Sequence, residues 1–157
     1  MIEIERKFLV LSEDYKKEAL KQTHIIQGFL NTDSLRTVRV RLKGEKGFIT
    51  VKGISNESGT SRLEWEKEIS AEEAKTLLSL CEPGVIDKIR YEVKKGKHIF
   101  EIDEFFGENQ GLTIAEIELS SENETFEKPA WLGEEVTGIT KYYNSLLSKN
   151  PFKNWKP

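Results

Sequence analysis

The chain has 157 residues, 37% of them hydrophobic and 32% charged, with a net charge of −3. That suits a single domain with a sizeable core, excludes the segregated charge of a disordered chain, and gives no global attraction to nucleic acid or an anionic membrane. One cysteine excludes an internal disulfide, and no run approaches the ~18 apolar residues of a spanning helix.

The first strand, over 2–10, puts Glu3, Glu5 and Lys7 on one face and Ile2, Ile4 and Phe8 on the other. Carboxylates two apart on a strand sit roughly 6.6 Å apart, a spacing that lets them share a hydrated divalent cation. Ser12, Glu13 and Asp14 predict an N-cap and acidic first turn for a short helix over 15–21, and a second strand follows over 24–30, with His24 read as a surface residue. The strand over 36–43 alternates strictly, Arg39, Arg41 and Lys43 against Val38, Val40 and Leu42, and a hairpin turn at 44–47 leads to a strand over 48–52 carrying Lys52. After a loop over 53–61, the strand over 62–69 sets Arg62, Glu64, Glu66 and Glu68 against Leu63, Trp65 and Ile69. A capping box at Ser70 and Glu73 opens a helix with Ala74, Leu77, Leu78 and Cys81 on its apolar face, where Cys81 reads as a small buried hydrophobe in a reducing compartment.

Three more strands are expected over 86–94, 99–105 and 113–120, carrying Lys88 with Arg90, Glu101 with Asp103, and Glu116 with Glu118. The capping-box pattern recurs at Ser121 and Glu124 and predicts a short helix ended by Pro129, while Ile139, Tyr142, Tyr143, Leu146 and Leu147 predict a C-terminal helix. Residues 150–157 read as a tail behind a domain over 1–149, with Phe152 and Trp155 packed on the barrel. The charged N-terminus lacks the apolar core of a signal peptide, so the protein is expected to be cytoplasmic.

Eight strands joined by hairpins or short helices predict a mostly β, antiparallel sheet closed into a barrel, with a charged lumen and an apolar exterior covered by helices. The bland alternative is an open sheet with one wet face. Against it, like charges are paired along single strands: Glu3 with Glu5, Arg39 with Arg41, Glu64 with Glu66, Lys88 with Arg90, Glu101 with Asp103, Glu116 with Glu118. Repelling neighbours gain nothing for folding unless opposite charge lies between them, so the face reads as a ligand site. Arginine forks and ammonium groups suit phosphate oxygens, and carboxylates without His or Cys suit hard ions such as Mg²⁺ or Mn²⁺. A metal-bound polyphosphate meets both needs, and no Ser, Cys or His arrangement suggests a covalent route.

The run Glu3-Ile4-Glu5-Arg6-Lys7 resembles the ExExK signature of the CYTH superfamily, the triphosphate tunnel metalloenzymes, and it is joined in family order by Arg39 and Arg41, Lys52, Glu64 and Glu66, Lys88 and Arg90, Glu101 and Asp103, and Glu116 and Glu118. The resemblance implies an eight-stranded tunnel and metal-dependent hydrolysis of a small-molecule triphosphate, most of all inorganic tripolyphosphate, to phosphate and pyrophosphate by a metal-activated water. It implies two ions of Mg²⁺ or Mn²⁺ on Glu3, Glu5, Asp103, Glu116 and Glu118, and a phosphate cradle of Lys7, Arg39, Arg41, Lys52, Arg62, Lys88 and Arg90. Glu64 and Glu66 are metal-linked or orient the bases, and Lys141 closes one end of the tunnel. Glu3, Glu5, Lys7, Lys52 and Lys88 would carry the catalysis. Phe29 departs from the tyrosine that related bacterial sequences often carry. A class IV adenylate cyclase and a non-catalytic polyphosphate-binding module stay open as alternatives, as does a monomer or a homodimer; neither nucleic acid nor a membrane is an expected partner.

Overall fold

The computed structural model describes residues 1–156. Its strands are β1 Ile2–Val10, β2 Lys21–Asn31, β3 Arg36–Lys43, β4 Lys46–Gly53, β5 Ser61–Ile69, β6 Ile86–Lys95, β7 His98–Phe105, β8 Thr113–Glu118 and β9 Leu132–Glu135; the helices are α1 Tyr15–Glu18, α2 Ala71–Leu78 and α3 Asn144–Leu147. Sheet order is β5-β4-β3-β2-β6-β7-β8-β1-β9, all antiparallel, and a further pairing of β5 with β1 closes the first eight strands into a barrel. The closing seam is short, with Ile2 opposite Leu63, Glu3 opposite Arg62 and Ile4 opposite Ser61. Beyond it β1 pairs instead with β9, at Phe8 and Val10.

Alternation sends the charged residues inward, so most of the apolar core lies outside the barrel wall. On the outer face of β1, β6, β7 and β8, Phe8, Tyr91, Phe100, Ile102 and Ile117 pack against Tyr15 of α1 and Trp131. Edge-on rings knit that layer, Tyr15 with Tyr91 at 5.3 Å and Phe100 with Trp131 at 5.5 Å. Over β2 to β4, α2 lies directly on the sheet because glycines make room for it. A Cβ on Gly28 would come within 2.8 Å of Cys81, and one on Gly47 within 2.6 Å of the Ser70 carbonyl oxygen. The capping box is formed: the Glu73 amide donates to Ser70 Oγ and the Ser70 amide to Glu73 Oε1, both at 3.0 Å.

A second apolar cluster lies inside one end of the barrel. Ile86, Phe105 and Ile114 continue the inward faces of β6, β7 and β8, and Leu147 of α3 is fully buried against them and Leu112. Tyr142, Phe152 and Trp155 pack on this plug, so the last residues do lie against the barrel as expected. The Phe152 amide also donates to Asn109 Oδ1 at 2.9 Å.

Several expectations are corrected. A ninth strand, β9, was not foreseen; it lies outside the eight-stranded closure. The helix over 15–21 shrinks to α1 with no side-chain cap, because Lys21 is needed opposite Glu92 in β2. Residues 121–129 form no helix: the Glu124 carboxylate accepts from the Ser120 amide and meets His98 Nε2, both at 2.6 Å, and so does not reach back to cap Ser121. The C-terminal helix is broken at Tyr143, which is extended at φ −70 and ψ 136. The helices also leave part of the exterior bare, since Ile2, Val51, Leu63 and Trp65 are exposed. Among the described residues no helix is long and apolar enough to cross a membrane.

The plug carries a direct test of how the closed end is held. Leu147→Ala should cost about 2–5 kcal/mol in urea unfolding, as truncation of a fully buried leucine does; an unchanged midpoint would show that α3 does not seal the barrel.

Candidate active site

Within the barrel a cavity of about 220 Å³ is lined by charged side chains from seven of the eight barrel strands, every one except β2. Bases gather on β3 and β6, where Arg39, Arg41, Lys88 and Arg90 face inward; acids gather on β1 and β8, where Glu3, Glu5, Glu116 and Glu118 do. Alternation on each strand produces both walls, and closure turns them toward each other.

Charge is compensated across strands. Lys52 Nζ donates to Glu3 Oε1 at 2.9 Å and lies 3.3 Å from Glu64 Oε2, and Lys7 Nζ reaches Glu116 Oε1 at 3.2 Å. Arg41 donates to Glu66 Oε2 at 3.0 Å, with Arg39 at 3.4 Å and the Thr50 hydroxyl at 2.7 Å on the same oxygen. Asp103, expected among the metal ligands, is instead buried behind the lining with both oxygens engaged, taking Arg90 at 2.7 and 2.9 Å and Lys88 at 2.8 Å. Burial opposes its ionisation, but Arg90 and Lys88 outweigh that and hold the carboxyl well below the usual range.

Two acids are left short of cations. Burial, then the neighbouring Glu116 and Glu3, push the Glu5 carboxyl up to about 8. Glu116 stays ionised: burial works against it, but Lys7, a hydrogen bond from Glu5 and the Arg90 and Lys88 charges hold it well below the usual carboxylate range. Glu118 is raised by burial, Glu3 and Glu101. Carboxyls that share a proton when no cation is near suit a hard divalent ion, which would displace that proton. On the opposite wall burial pushes the Lys88 ammonium down to about 7 in spite of Asp103, with Arg90 adding like charge. Arg39 is opposed by burial and by Arg41, although a guanidinium keeps its proton.

The structure therefore brings Glu3, Glu5, Lys7, Arg39, Arg41, Lys52, Arg62, Glu64, Glu66, Lys88, Arg90, Glu116 and Glu118 to one lumen. It does not bring Lys141 there: that side chain is exposed, its ammonium 4.6 Å from the Trp155 ring centroid and 5.3 Å from that of Tyr142. The closed end is lined instead by Tyr143, Asn144 and Ser145. Asn144 Oδ1 accepts from Lys88 Nζ at 3.0 Å and from Gln27 Nε2 at 2.9 Å. No local pattern marks Asn144, because its place depends on the helix break before it. Lys43 and Glu101 also line the cavity, and alternation alone had put both on the charged face.

The CYTH domain model matches residues 1–149. The chain belongs to the CYTH family. An inorganic triphosphatase of Acetivibrio thermocellus is 51% identical to it over 155 residues, spanning 98% of this chain and 97% of its own. An inorganic triphosphatase of Nitrosomonas europaea is 37% identical, over 94% of this chain and 97% of its own. A crystal structure of an inorganic triphosphatase superposes with a TM-score of 0.66 at 34% identity, covering 93% of each chain. The CYTH match and the eight-stranded closure agree on the fold.

The Glu5 proton gives a pH signature. With a folded value of about 8 against 4.5 when free, the folded, cation-free protein holds one proton more than the unfolded chain between those values, so stability falls as pH rises through this window. In chelator, Glu5→Gln should match the parent near pH 5 and exceed it in urea midpoint near pH 8. Parallel pH profiles for the two proteins would contradict this placement of Glu5.

Proposed function

We propose that this chain hydrolyses inorganic triphosphate to phosphate and pyrophosphate in the presence of Mg²⁺ or Mn²⁺. The observation that carries the reading is the pair of opposed walls, bases on β3 and β6 and acids on β1 and β8, enclosing about 220 Å³. Only a ligand that presents anionic oxygens to one wall and cationic charge to the other relieves both, and the small polar cavity suits a compact ligand. The inorganic triphosphatase relatives support the same substrate.

Arg39, Arg41, Lys88 and Arg90 would bind the phosphoryl oxygens and hold the chain in line, with Lys7, Lys52 and Arg62 completing the cradle. Asp103 fixes Lys88 and Arg90 from behind, and Glu66 fixes Arg39 and Arg41, so these cations are positioned before substrate arrives. Glu5, Glu116 and Glu118 would hold the divalent ions, with Glu3 and Glu64 shared between ion and Lys52. Substrate oxygens and water would complete the coordination of such ions. When bound, such ions neutralise charge developing on the transferred phosphoryl group. Lys88 Nζ, pushed toward neutrality by burial, is able to give or take a proton near pH 7, as is the Glu5 carboxyl while no cation is bound.

A nucleoside would need an apolar slot, and among the described residues the lining is almost wholly charged or polar, with Phe29 and Tyr143 its aromatic rings, which favours an inorganic substrate over ATP. A binding module would need the bases but not the acids that surround Glu5. The lone thiol Cys81 supports a reducing, cytoplasmic setting.

The test is phosphate release from inorganic triphosphate, ATP and pyrophosphate, each with Mg²⁺, Mn²⁺ or chelator. Fast release from triphosphate that chelator abolishes is the expected result; a cyclic nucleotide from ATP, or no turnover at all, would overturn the reading. Glu116→Gln and Glu118→Gln should each lower kcat at least about a hundred-fold while phosphate binding persists.

A further inference from the structure

Seven inward bases were expected from the sequence as the phosphate cradle, and each of them meets a carboxylate. Arg39 and Arg41 meet Glu66, Lys52 and Arg62 meet Glu3, Lys7 meets Glu116, and Lys88 and Arg90 meet Asp103. Lys43 lines the same cavity, yet among the described residues it makes no salt bridge. It is half-buried, and its ammonium is disfavoured by burial and then by Arg41 and Arg90, with Glu101 and Glu92 offsetting part of this. A protein gains nothing by setting a cation with no ion-pair partner near two guanidinium groups unless an anion comes between them.

Its position along the tunnel says which part of an anion. β6 runs from Ile86 in the closed end through Lys88 and Arg90 to Glu92, β3 runs parallel to it on the far side of β2, and Lys43 sits across Ile25 from Lys88, within reach of the Arg90 and Glu92 charges. On β3, Arg39, Arg41 and Lys43 form a ladder with rungs roughly 6.6 Å apart, Lys43 being nearest the open mouth. We propose that Lys43 is a further substrate-binding residue, which takes the mouth-side phosphoryl group and so sets the preference for three phosphoryl groups over two. This rests on the triphosphate reading of the lumen. Pyrophosphate held by the deeper rungs would end short of Lys43.

The experiment uses the full chain with Mg²⁺. Parent, Lys43→Gln and Lys43→Arg are compared for steady-state hydrolysis of inorganic triphosphate, for inhibition by pyrophosphate, and for calorimetric binding of triphosphate. Lys43→Gln should raise the triphosphate KM and Kd about tenfold with a much smaller effect on kcat, should leave the pyrophosphate inhibition constant within about twofold, and Lys43→Arg should restore most of the loss. Unaltered triphosphate affinity in Lys43→Gln overturns the assignment, as does an equal weakening of triphosphate and pyrophosphate, which would mark a general field effect. If the parent binds triphosphate without hydrolysing it, the triphosphatase reading fails while the Kd comparison still decides Lys43. A parent that neither binds nor turns over triphosphate overturns both.

Discussion

Charges enclosed by a barrel must be balanced across the lumen, because neighbours on one face of a strand carry the same sign. The need to hold Arg39 and Arg41, or Glu3 and Glu5, side by side is met by partners on other strands: Glu66 across β4, Lys52 across β5, Asp103 across the β6–β7 ladder. Register therefore carries electrostatics as well as packing. A one-residue slip of any strand would turn its charges out to the solvent or against the apolar layer and leave their partners uncompensated inside.

The wall is correspondingly inverted relative to an ordinary small barrel. Apolar faces point outward, so the protein needs covers: α1 with Trp131 over one half, α2 seated on Gly28 and Gly47 over another. The end closed by Leu147 has an apolar interior. Lys88 lies at that boundary, its ammonium 5.5 Å from the Phe105 ring centroid and tied to Asp103 and Asn144. Low polarity around the plug is what presses its charge down, so the packing that closes the tunnel also tunes a group within the site.

Two-residue alternation made most of the lumen legible in the sequence, down to Lys43 on the same face as Arg41, although Glu68, expected beside Glu64 and Glu66, is exposed and does not line the cavity. Hairpins and the Ser70 capping box were legible for the same local reason. What escaped depends on tertiary contacts. Glu124 looked like a capping partner for Ser121 but serves the Ser120 amide and His98. The heptad-like spacing of Ile139 to Leu147 gave no sign that Tyr143 and Asn144 turn into the lumen and break the helix, nor that Lys141 stacks outside on Trp155. Asp103 shares its strand face with Glu101, yet only the structure separates them, one buried under Arg90 and the other lining the cavity.

Under the proposed function, cation and triphosphate bind as one unit, each relieving the charge the other leaves. The most direct measurement is thermal unfolding of the parent with Mg²⁺ alone, with triphosphate alone, and with both at the same concentrations. The expected result is a shift with both that clearly exceeds the sum of the two separate shifts, by linkage to the folded state. Simple additivity, or full stabilisation by triphosphate in chelator, would contradict a lumen built for a metal-bound polyphosphate.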